Sequence, residues 1–189
     1  MTGRFSLAAL IAATLLSLGA VAARAGELPP PTGPVLLTVA GAVENANRGP
    51  VDPFADGFLV HNEIAFERAA EFDLAALESL GMHTLRAGYP NWPGVSTFEG
   101  PLLADVLKAA GANGSALRAV ALDGYAADLA PGDLDKYPVI LALKRDGKYL
   151  GLGGRGPTWV VYPREDFPEL QQAADDSGLA WAVFVILVE

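Results

Sequence analysis

The stretch from Lys144 to Glu169, KRDGKYLGLGGRGPTWVVYPREDFPE, decides the fold prediction. Asp146-Gly147 is a residue pair that favours a two-residue hairpin turn. Gly153-Gly154-Arg155-Gly156-Pro157 has no β-branched residue, so its backbone is able to approach a ligand closely. WVVY at 159–162 reads as a strand. We therefore predict a strand, a glycine-rich loop that carries one arginine, and a strand with aromatic ends. The loop lacks the strand–GxGxxG–helix context of a dinucleotide site.

Apolar runs elsewhere in the chain predict further strands. They lie at 35–43, 71–73, 82–87, 117–122, 125–129, 138–144 and 179–188. Helical spacing of apolar residues predicts helices at 62–70 and 102–110, the second of which Gly111 ends. Asp73 has the position of an N-cap before LAALESL, and Gly81 follows the end of that helix. Residues 131–135 and 167–174 each read as a turn or short helix, whereas 44–58 and 88–97 read as loops. The predicted fold class is α+β, a single domain with a mixed β-sheet and short helices.

The first 25 residues have the pattern of a secretory signal peptide. Arg4 precedes an uncharged apolar run at 5–23, and Ala23-Arg24-Ala25 has the small-x-small pattern of a cleavage site. An uncleaved membrane anchor is the alternative, because this run approaches the length that spans a bilayer. Residues 26–34, GELPPPTGP, are a predicted linker. We therefore predict a domain over 35–189 that is exported to the periplasm and is not inserted in the membrane after cleavage.

Charge and cysteine content exclude several functions. The chain has 22 acidic and 13 basic residues, for a formal net charge of -9. Such a chain is a poor partner for nucleic acid or for an anionic membrane surface. It contains no cysteine, which excludes disulfides, iron–sulfur clusters and thiolate metal ligands. Only His61 and His83 supply imidazole, too few for a typical zinc site without carboxylates.

Five motifs, in a fixed order, carry a resemblance to a known family. They are VLLTVAGAV at 35–43, FDLAALESL at 72–80, FEGPLLADVLKAAGA at 98–112, LDGYAADLAPGDLDKYPVILALKRDG at 122–147 and GRGPTWVVYPRED at 154–166. Over 35–188 the chain resembles the oxidoreductase molybdopterin-binding domain of the sulfite oxidase type. It looks most like the small exported members that stand alone and bind pterins. The resemblance implies a sulfite-oxidase-like molybdopterin-binding fold.

One departure from the family bears on function. In the enzymes of this family, a cysteine between the second and third motifs holds molybdenum, and the corresponding segment here, MHTLRAGYPNWPGVST, has none. Neither Pro90 nor Trp92 supplies the soft anionic ligand that tunes such a metal. The resemblance therefore implies a non-catalytic protein that binds a free pterin without metal. It also implies action on the periplasmic domain of a membrane signalling protein, in a cyclic-di-GMP or kinase pathway.

Two alternatives stay open. In the first, the chain is a molybdenum-cofactor oxidoreductase of the sulfite oxidase type whose metal is held only by the cofactor's own dithiolene. In the second, it is a ligand-free periplasmic interaction module. The segment Phe54–Phe72, rich in Asp, Glu and Phe, would then be its contact surface.

The candidate pterin-binding residues come from several segments. A pterin needs aromatic faces for stacking, an acceptor for its amine and donors for its carbonyl. The candidates are Arg86, Tyr89, Asn91 and Trp92 after one predicted strand, Asp123 and Tyr125 at a strand reversal, Arg155 and Trp159 in the opening stretch, and Arg48. Asp123 is the predicted acceptor for the amine, although turn chemistry also favours Asp there. Arg155 is predicted to pair with a phosphate or hydroxyl tail.

The remaining polar candidates are weaker. Arg48 lies near the place where the enzymes of this family contact the phosphate of their cofactor. His83 is a possible ligand contact, and His61 a possible mark of a partner surface. No nucleophile elbow supports Ser-His-Asp catalysis, so we predict no catalytic residue.

Overall fold

Two β-sheets and five short helices organise the part of the chain that the computed structural model describes, residues 28–172 and 179–189. The strands are β1 Val35–Gly41, β2 Ala69–Asp73, β3 His83–Ala87, β4 Ser96–Gly100, β5 Leu117–Ala121, β6 Ala126–Leu129, β7 Ile140–Ala142, β8 Lys144–Arg145, β9 Lys148–Tyr149, β10 Thr158–Val161 and β11 Trp181–Val188. The helices are α1 Gly57–His61, α2 Leu74–Ser79, α3 Leu103–Ala109, α4 Pro131–Lys136 and α5 Pro168–Gln171. The predicted signal peptide at 1–25 lies outside the described residues.

The last strand, β11, is the centre of the larger sheet. It pairs in parallel with β1, from Thr38 opposite Val185 to Gly41 opposite Val188. It also pairs antiparallel with β5 and β10. The main path is β2-β1-β11-β10-β7, and β6 joins through β5. A strand with neighbours on both sides is largely shielded from water, which is why the sequence WAVFVILV is apolar throughout.

The smaller sheet has the order β3-β4-β8-β9. Its hairpin turns at Asp146 and Gly147, whose φ angles are 50° and 75°. Two positive φ angles in a two-residue loop define the type I′ turn, for which Asp-Gly is a preferred pair. The Asp146 carboxylate also accepts a hydrogen bond from the Thr97 N–H at 2.9 Å. The predicted hairpin turn is therefore confirmed, and its first residue ties the hairpin to β4.

The chain passes directly from one sheet to the other between β7 and β8. Here the Leu141 N–H donates to the Pro101 carbonyl at 2.9 Å, and the Leu143 N–H donates to the Glu99 carbonyl at 2.8 Å. A separate apolar cluster fills the space between the sheets. It comprises Leu85, Ala87, Phe98, Ile140, Ala142, Trp159 and Val161. Trp92 and Trp181 are half-buried and pack against this cluster from its border.

Three sequence-based expectations need correction. The predicted helix at 62–70 is wrong, because α1 ends at His61 and Ala69–Asp73 forms β2 against β1. The predicted loop at 88–97 ends early, since β4 begins at Ser96 between β3 and β8. The predicted single mixed sheet is also wrong, because the strands form two separate sheets. In each case pairing with a distant strand outweighs the local pattern. The coarse prediction of one α+β fold with short helices is confirmed.

Asp73 joins three segments through its carboxylate. One oxygen accepts a hydrogen bond from the Ala76 N–H at 2.8 Å, so Asp73 is the N-cap of α2 as predicted. The other oxygen accepts from the Thr32 N–H at 2.7 Å and from the Gly33 N–H at 2.8 Å. These backbone hydrogen bonds, from Ala76 first and then from Gly33 and Thr32, lower the pKa of Asp73 from its ordinary 3.8 to about 2.

We expect Asp73→Asn to lower the melting temperature at pH 7. We also expect the melting temperature of this variant to change less than that of wild type as the pH falls. Asn has one oxygen, so it accepts either from Ala76 or from Thr32 and Gly33, but not from both sides. Because the folded-state pKa lies below the ordinary value, the stabilisation is full above about pH 5 and is lost as the pH falls through 4 towards 2. Thermal melts from pH 7 to pH 2 measure this, with the exposed residue Asp135 changed to Asn as control. Equal acid dependence in wild type and Asp73→Asn would contradict the expectation.

Candidate functional site

A cavity of about 260 Å³ lies where β5, β10 and β11 meet the loop before β4. Its lining residues are Trp92, Ala121, Asp123, Tyr125, Arg155, Trp159, Leu179 and Trp181. The chain has three tryptophans in all, and all three line this one cavity. Five of the predicted pterin-binding residues are thereby brought together from three separate segments of the chain.

The tryptophans form an aromatic wall. The ring centres of Trp92 and Trp159 are 5.1 Å apart with the rings tilted by 54°. Phe98 supports both, with ring centres at 5.8 Å from Trp92 and 5.2 Å from Trp159. Trp159 is buried and belongs to the cluster between the sheets, whereas Trp92 is half-buried. The wall is thus anchored in the core, and it presents the aromatic faces that a flat heterocycle needs for stacking.

Arg155 provides the positive charge of the cavity. Its guanidinium carbon lies 4.9 Å from the ring centre of Trp159 and 5.4 Å from that of Trp181. Among the described residues it has no carboxylate within ion-pair distance. Stacking on two indoles holds the guanidinium in place without neutralising it. A positive charge without a counter-ion at a cavity is available to an acceptor or anionic group of a ligand.

Asp123 provides a negative charge at the cavity. Its Oδ1 accepts a hydrogen bond from the Tyr125 N–H at 3.0 Å, across the turn at Gly124, whose φ is 84°. A carboxylate accepts several hydrogen bonds, so it is able to accept from a ligand as well. Asp123 and Arg155 do not form an ion pair with each other in the described part of the chain. The cavity therefore offers an acceptor and a donor at two separate places.

An irregularity in β11 positions Trp181 beside the cavity. Ala182 has a φ of 53°, a conformation that costs a non-glycine residue roughly 1–3 kcal/mol. Two hydrogen bonds of 2.9 Å hold it there, from the Ala182 N–H to the Arg155 carbonyl and from the Leu122 N–H to the Ala182 carbonyl. The pairing of β10 with β11 shifts register at this point. The bulge thus links the arginine loop, the turn that carries Asp123, and Trp181.

The indole nitrogen of Trp159 is a buried donor within the wall. Nε1 is shielded from solvent, and within the described ranges it has no hydrogen-bond partner. A buried N–H without a partner typically costs about 1–3 kcal/mol. Because Nε1 is shielded, this donor lies inside the wall and is not exposed to a ligand in the cavity.

The other predicted site residues lie outside the cavity. Tyr89 supports the wall from behind, with its ring centre 4.7 Å from that of Trp92, and the Arg164 guanidinium lies 4.4 Å from the Tyr89 ring. Arg86 and Asn91 are exposed and do not line the cavity. His61 and His83 are also exposed and outside it.

Arg48 belongs to a different cluster. It forms ion pairs with Asp56 and Glu71, and its guanidinium lies 5.1 Å from the Phe66 ring centre. Both ion-pair partners neutralise Arg48, whereas Arg155 has no such partner among residues 28–172 and 179–189. In this arrangement Arg48 ties α1 to β2 and does not line the cavity.

Sequence reasoning missed three lining residues, Ala121, Leu179 and Trp181. All three lie in runs that we interpreted only as buried strands. The available signal was the aromatic residue at the start of LAWAVFVILV, because a tryptophan at a strand end often faces a ligand or solvent on one side. A larger groove of about 500 Å³ lies beside α3 and α4. It is lined by no aromatic residue, so it offers no stacking face.

Neither comparison with known proteins identifies the chain. No model of a known protein family matches it, and no curated protein matches it either. In residues 28–172 and 179–189 no helix has the length and apolar character needed to cross a membrane. The same residues contain no group of three or more His, Asp or Glu side chains placed to hold a metal ion.

Proposed function

We propose that the chain is a non-catalytic pterin-binding protein with a sulfite-oxidase-like molybdopterin-binding fold. In this proposal it is exported to the periplasm and regulates a membrane signalling protein in a cyclic-di-GMP or kinase pathway. The carrying observation is the convergence on a single cavity of all three tryptophans, one carboxylate and a guanidinium that forms no ion pair within the described residues. The fold and partner assignments rest on the family resemblance that the five ordered motifs carry.

The chemistry of the cavity suits a pterin. The flat ring stacks against Trp92 or Trp181, which are both half-buried at the cavity. The amine edge of the ring donates to Asp123. A carbonyl or a substituent on the ring accepts from Arg155. Each polar group of the site is thus matched by a complementary group of the ligand.

The size of the cavity favours a free pterin over a complete molybdopterin. Sites for drug-sized ligands usually enclose roughly 300–1,000 Å³, and this cavity has about 260 Å³. That volume suits one bicyclic ring with a short substituent. A molybdopterin adds a third ring, a dithiolene and a phosphate, which require more room.

The absence of a thiolate supports a role without metal chemistry. The segment 82–97, where the enzymes of the resembled family carry their metal-binding cysteine, includes Trp92 at the cavity. This segment has no cysteine, and neither has the rest of the sequence. Binding and contact with a partner therefore account for the site better than sulfite-oxidase chemistry does.

Pterin and molybdenum content test the proposal. The full chain is exported to the periplasm of a host that makes the molybdenum cofactor, then purified, denatured and oxidised. We expect pterin fluorescence that approaches one equivalent per chain, without molybdenum in elemental analysis. Equimolar molybdenum would overturn the proposal in favour of an oxidoreductase. Absence of both signals, together with no binding of added pterin, would overturn it in favour of a ligand-free interaction module.

A further inference from the structure

A second surface, beside the cavity, combines exposed aromatic and aliphatic side chains. Phe54 is 98% exposed, and Phe58 and Val60 are 46% and 45% exposed. Phe54 lies in the turn that precedes α1, and Phe58 lies within α1, four residues further along the chain. We call the segment from Asp52 to Asn62 the Phe54 segment.

The backbone around Phe54 is held in one conformation. The Asp52 carboxylate accepts from the Phe54 N–H at 2.8 Å and from the Ala55 N–H at 2.9 Å. The Asp56 carboxylate accepts from the Asp52 N–H at 2.7 Å and is ion-paired with Arg48. Arg48 in turn is ion-paired with Glu71 of β2. A fully exposed phenylalanine on an ordered turn loses little conformational entropy on binding, as is typical of an interface anchor.

Charge defines what this surface is able to contact. Asp52, Glu63 and Glu67 are exposed within the Phe54 segment or shortly after it along the chain. Of the cations in this region, Arg48 is ion-paired with two carboxylates, whereas Arg68 is exposed and donates to the Val43 and Glu44 carbonyls. Exposed carboxylates thus outnumber exposed cations over 52–68, and the whole chain has a formal charge of -9, so the phenylalanines have an acidic border. Such a border attracts a basic partner and disfavours both a second copy of this chain and an anionic lipid surface.

The Phe54 segment also adjoins the cavity. The ring centre of Phe58 is 5.1 Å from that of Phe184 in β11, three residues from Trp181 of the cavity wall. Asn62, at the end of the segment, lies against Gly124. A Cβ added at Gly124 would be 3.7 Å from Oδ1 of Asn62. Gly124 separates Asp123 and Tyr125, which both line the cavity. A protein bound to the Phe54 segment would thus lie next to the turn that contacts the ligand.

We infer that the Phe54 segment is a docking surface for a protein partner that offers an apolar pocket bordered by Lys and Arg side chains. Phe54 enters the pocket, and the carboxylates around it face the basic border. The inference rests on the partner-binding part of the proposed function. It does not depend on the identity of the ligand, because its observations concern the Phe54 segment and its place next to the cavity, and none of them is a contact with the ligand.

Site-specific crosslinking in cells of the source organism tests this inference. A photoreactive phenylalanine analogue replaces Phe54 in the full exported chain, and in a control it replaces Met82, an apolar residue that is 37% exposed elsewhere. We expect position 54, and not position 82, to crosslink to one protein. Peptide mapping should place the crosslink in an apolar site flanked by Lys or Arg. A crosslink to an acidic site, to lipid or to a second copy of the chain, or no crosslink above the control, would overturn the inference.

Binding of the mapped partner domain provides the quantitative test. Phe54→Ala is expected to weaken binding about 30-fold or more, as loss of an anchor does, whereas Met82→Ala should leave binding unchanged. Because Phe54 is exposed, its loss leaves the fold intact, which thermal melting verifies. Equal binding by wild type and Phe54→Ala would contradict the inference. Pterin content, measured in the same preparations, reports separately on the ligand-binding part of the proposed function.

Discussion

Gly41→Ala is expected to lower the free energy of unfolding by roughly 3–4 kcal/mol, the largest effect on stability that we predict for a single methyl group. Gly41 ends β1 opposite Val188 of β11 and has a φ of 98°. A Cβ at this position would overlap the Val188 carbonyl oxygen, well inside the 3.0 Å that real Cβ atoms keep. The same carbonyl accepts the Ala42 N–H at 2.8 Å. The substitution therefore strains the backbone and pushes apart the parallel strands at the centre of the larger sheet.

Gly81 offers a matched control for this effect. Its φ is also 98°, but a Cβ there would meet no atom within 4 Å. Gly81→Ala should thus cost only the backbone strain, roughly 1 kcal/mol. Urea unfolding of both variants, followed by circular dichroism, gives the comparison. Similar losses at the two positions would mean that steric overlap with Val188 contributes nothing.

Asp123→Asn is expected to raise the dissociation constant for a pterin roughly 10- to 100-fold, the range for loss of a hydrogen bond to a charged acceptor. Asn retains an oxygen that accepts the Tyr125 N–H, so the turn is preserved. Its NH₂ group, however, opposes the amine edge of the ring with a second donor. Because all three tryptophans line the cavity, quenching of intrinsic fluorescence during titration with pterin measures the change directly.

Asp128→Asn is the control for this titration. Asp128 is an exposed residue of β6, ion-paired with Arg118 and outside the cavity. We expect its substitution to leave pterin affinity within about twofold of wild type, since surface ion pairs contribute little. An unchanged affinity in Asp123→Asn would show that this carboxylate does not contact the ligand, and would place the amine edge elsewhere.

The elements that sequence patterns predicted well are those that local interactions define. The cap at Asp73, the glycine at 81 after α2 and the turn at Asp146-Gly147 all depend on neighbours within a few residues. The missed strand β4, with the sequence STFEG, is different. It has one large apolar residue, and it becomes a strand because β3 and β8 pair with it from both sides. No local pattern contains that information.

In the candidate site, too, residue types were predictable from the sequence, whereas contacts between distant segments were not. Residue types alone pointed to Trp92, Asp123 and Arg155, since stacking faces, a carboxylate and a glycine-flanked guanidinium suit a flat polar ligand. Arg48 matched the same criteria, yet Asp56 and Glu71 neutralise it in a separate cluster. Trp181 matched no motif and lines the cavity through the bulge at Ala182. Which arginine has a counter-ion, and which tryptophan faces a cavity, depends on contacts between distant segments.

The sequence by itself determined the acidic charge, the absence of thiolate chemistry, the coarse α+β class and the caps and turns that end individual elements. These properties follow from composition or from interactions between residues close in the chain. Only the tertiary structure decided that there are two sheets and that the three tryptophans meet at one cavity. It also decided that Phe54 is exposed, in a segment whose last residue, Asn62, lies against the turn at Gly124. The physical reason is that strand register and side-chain packing arise from contacts across the whole chain, whose energies no short stretch of sequence contains.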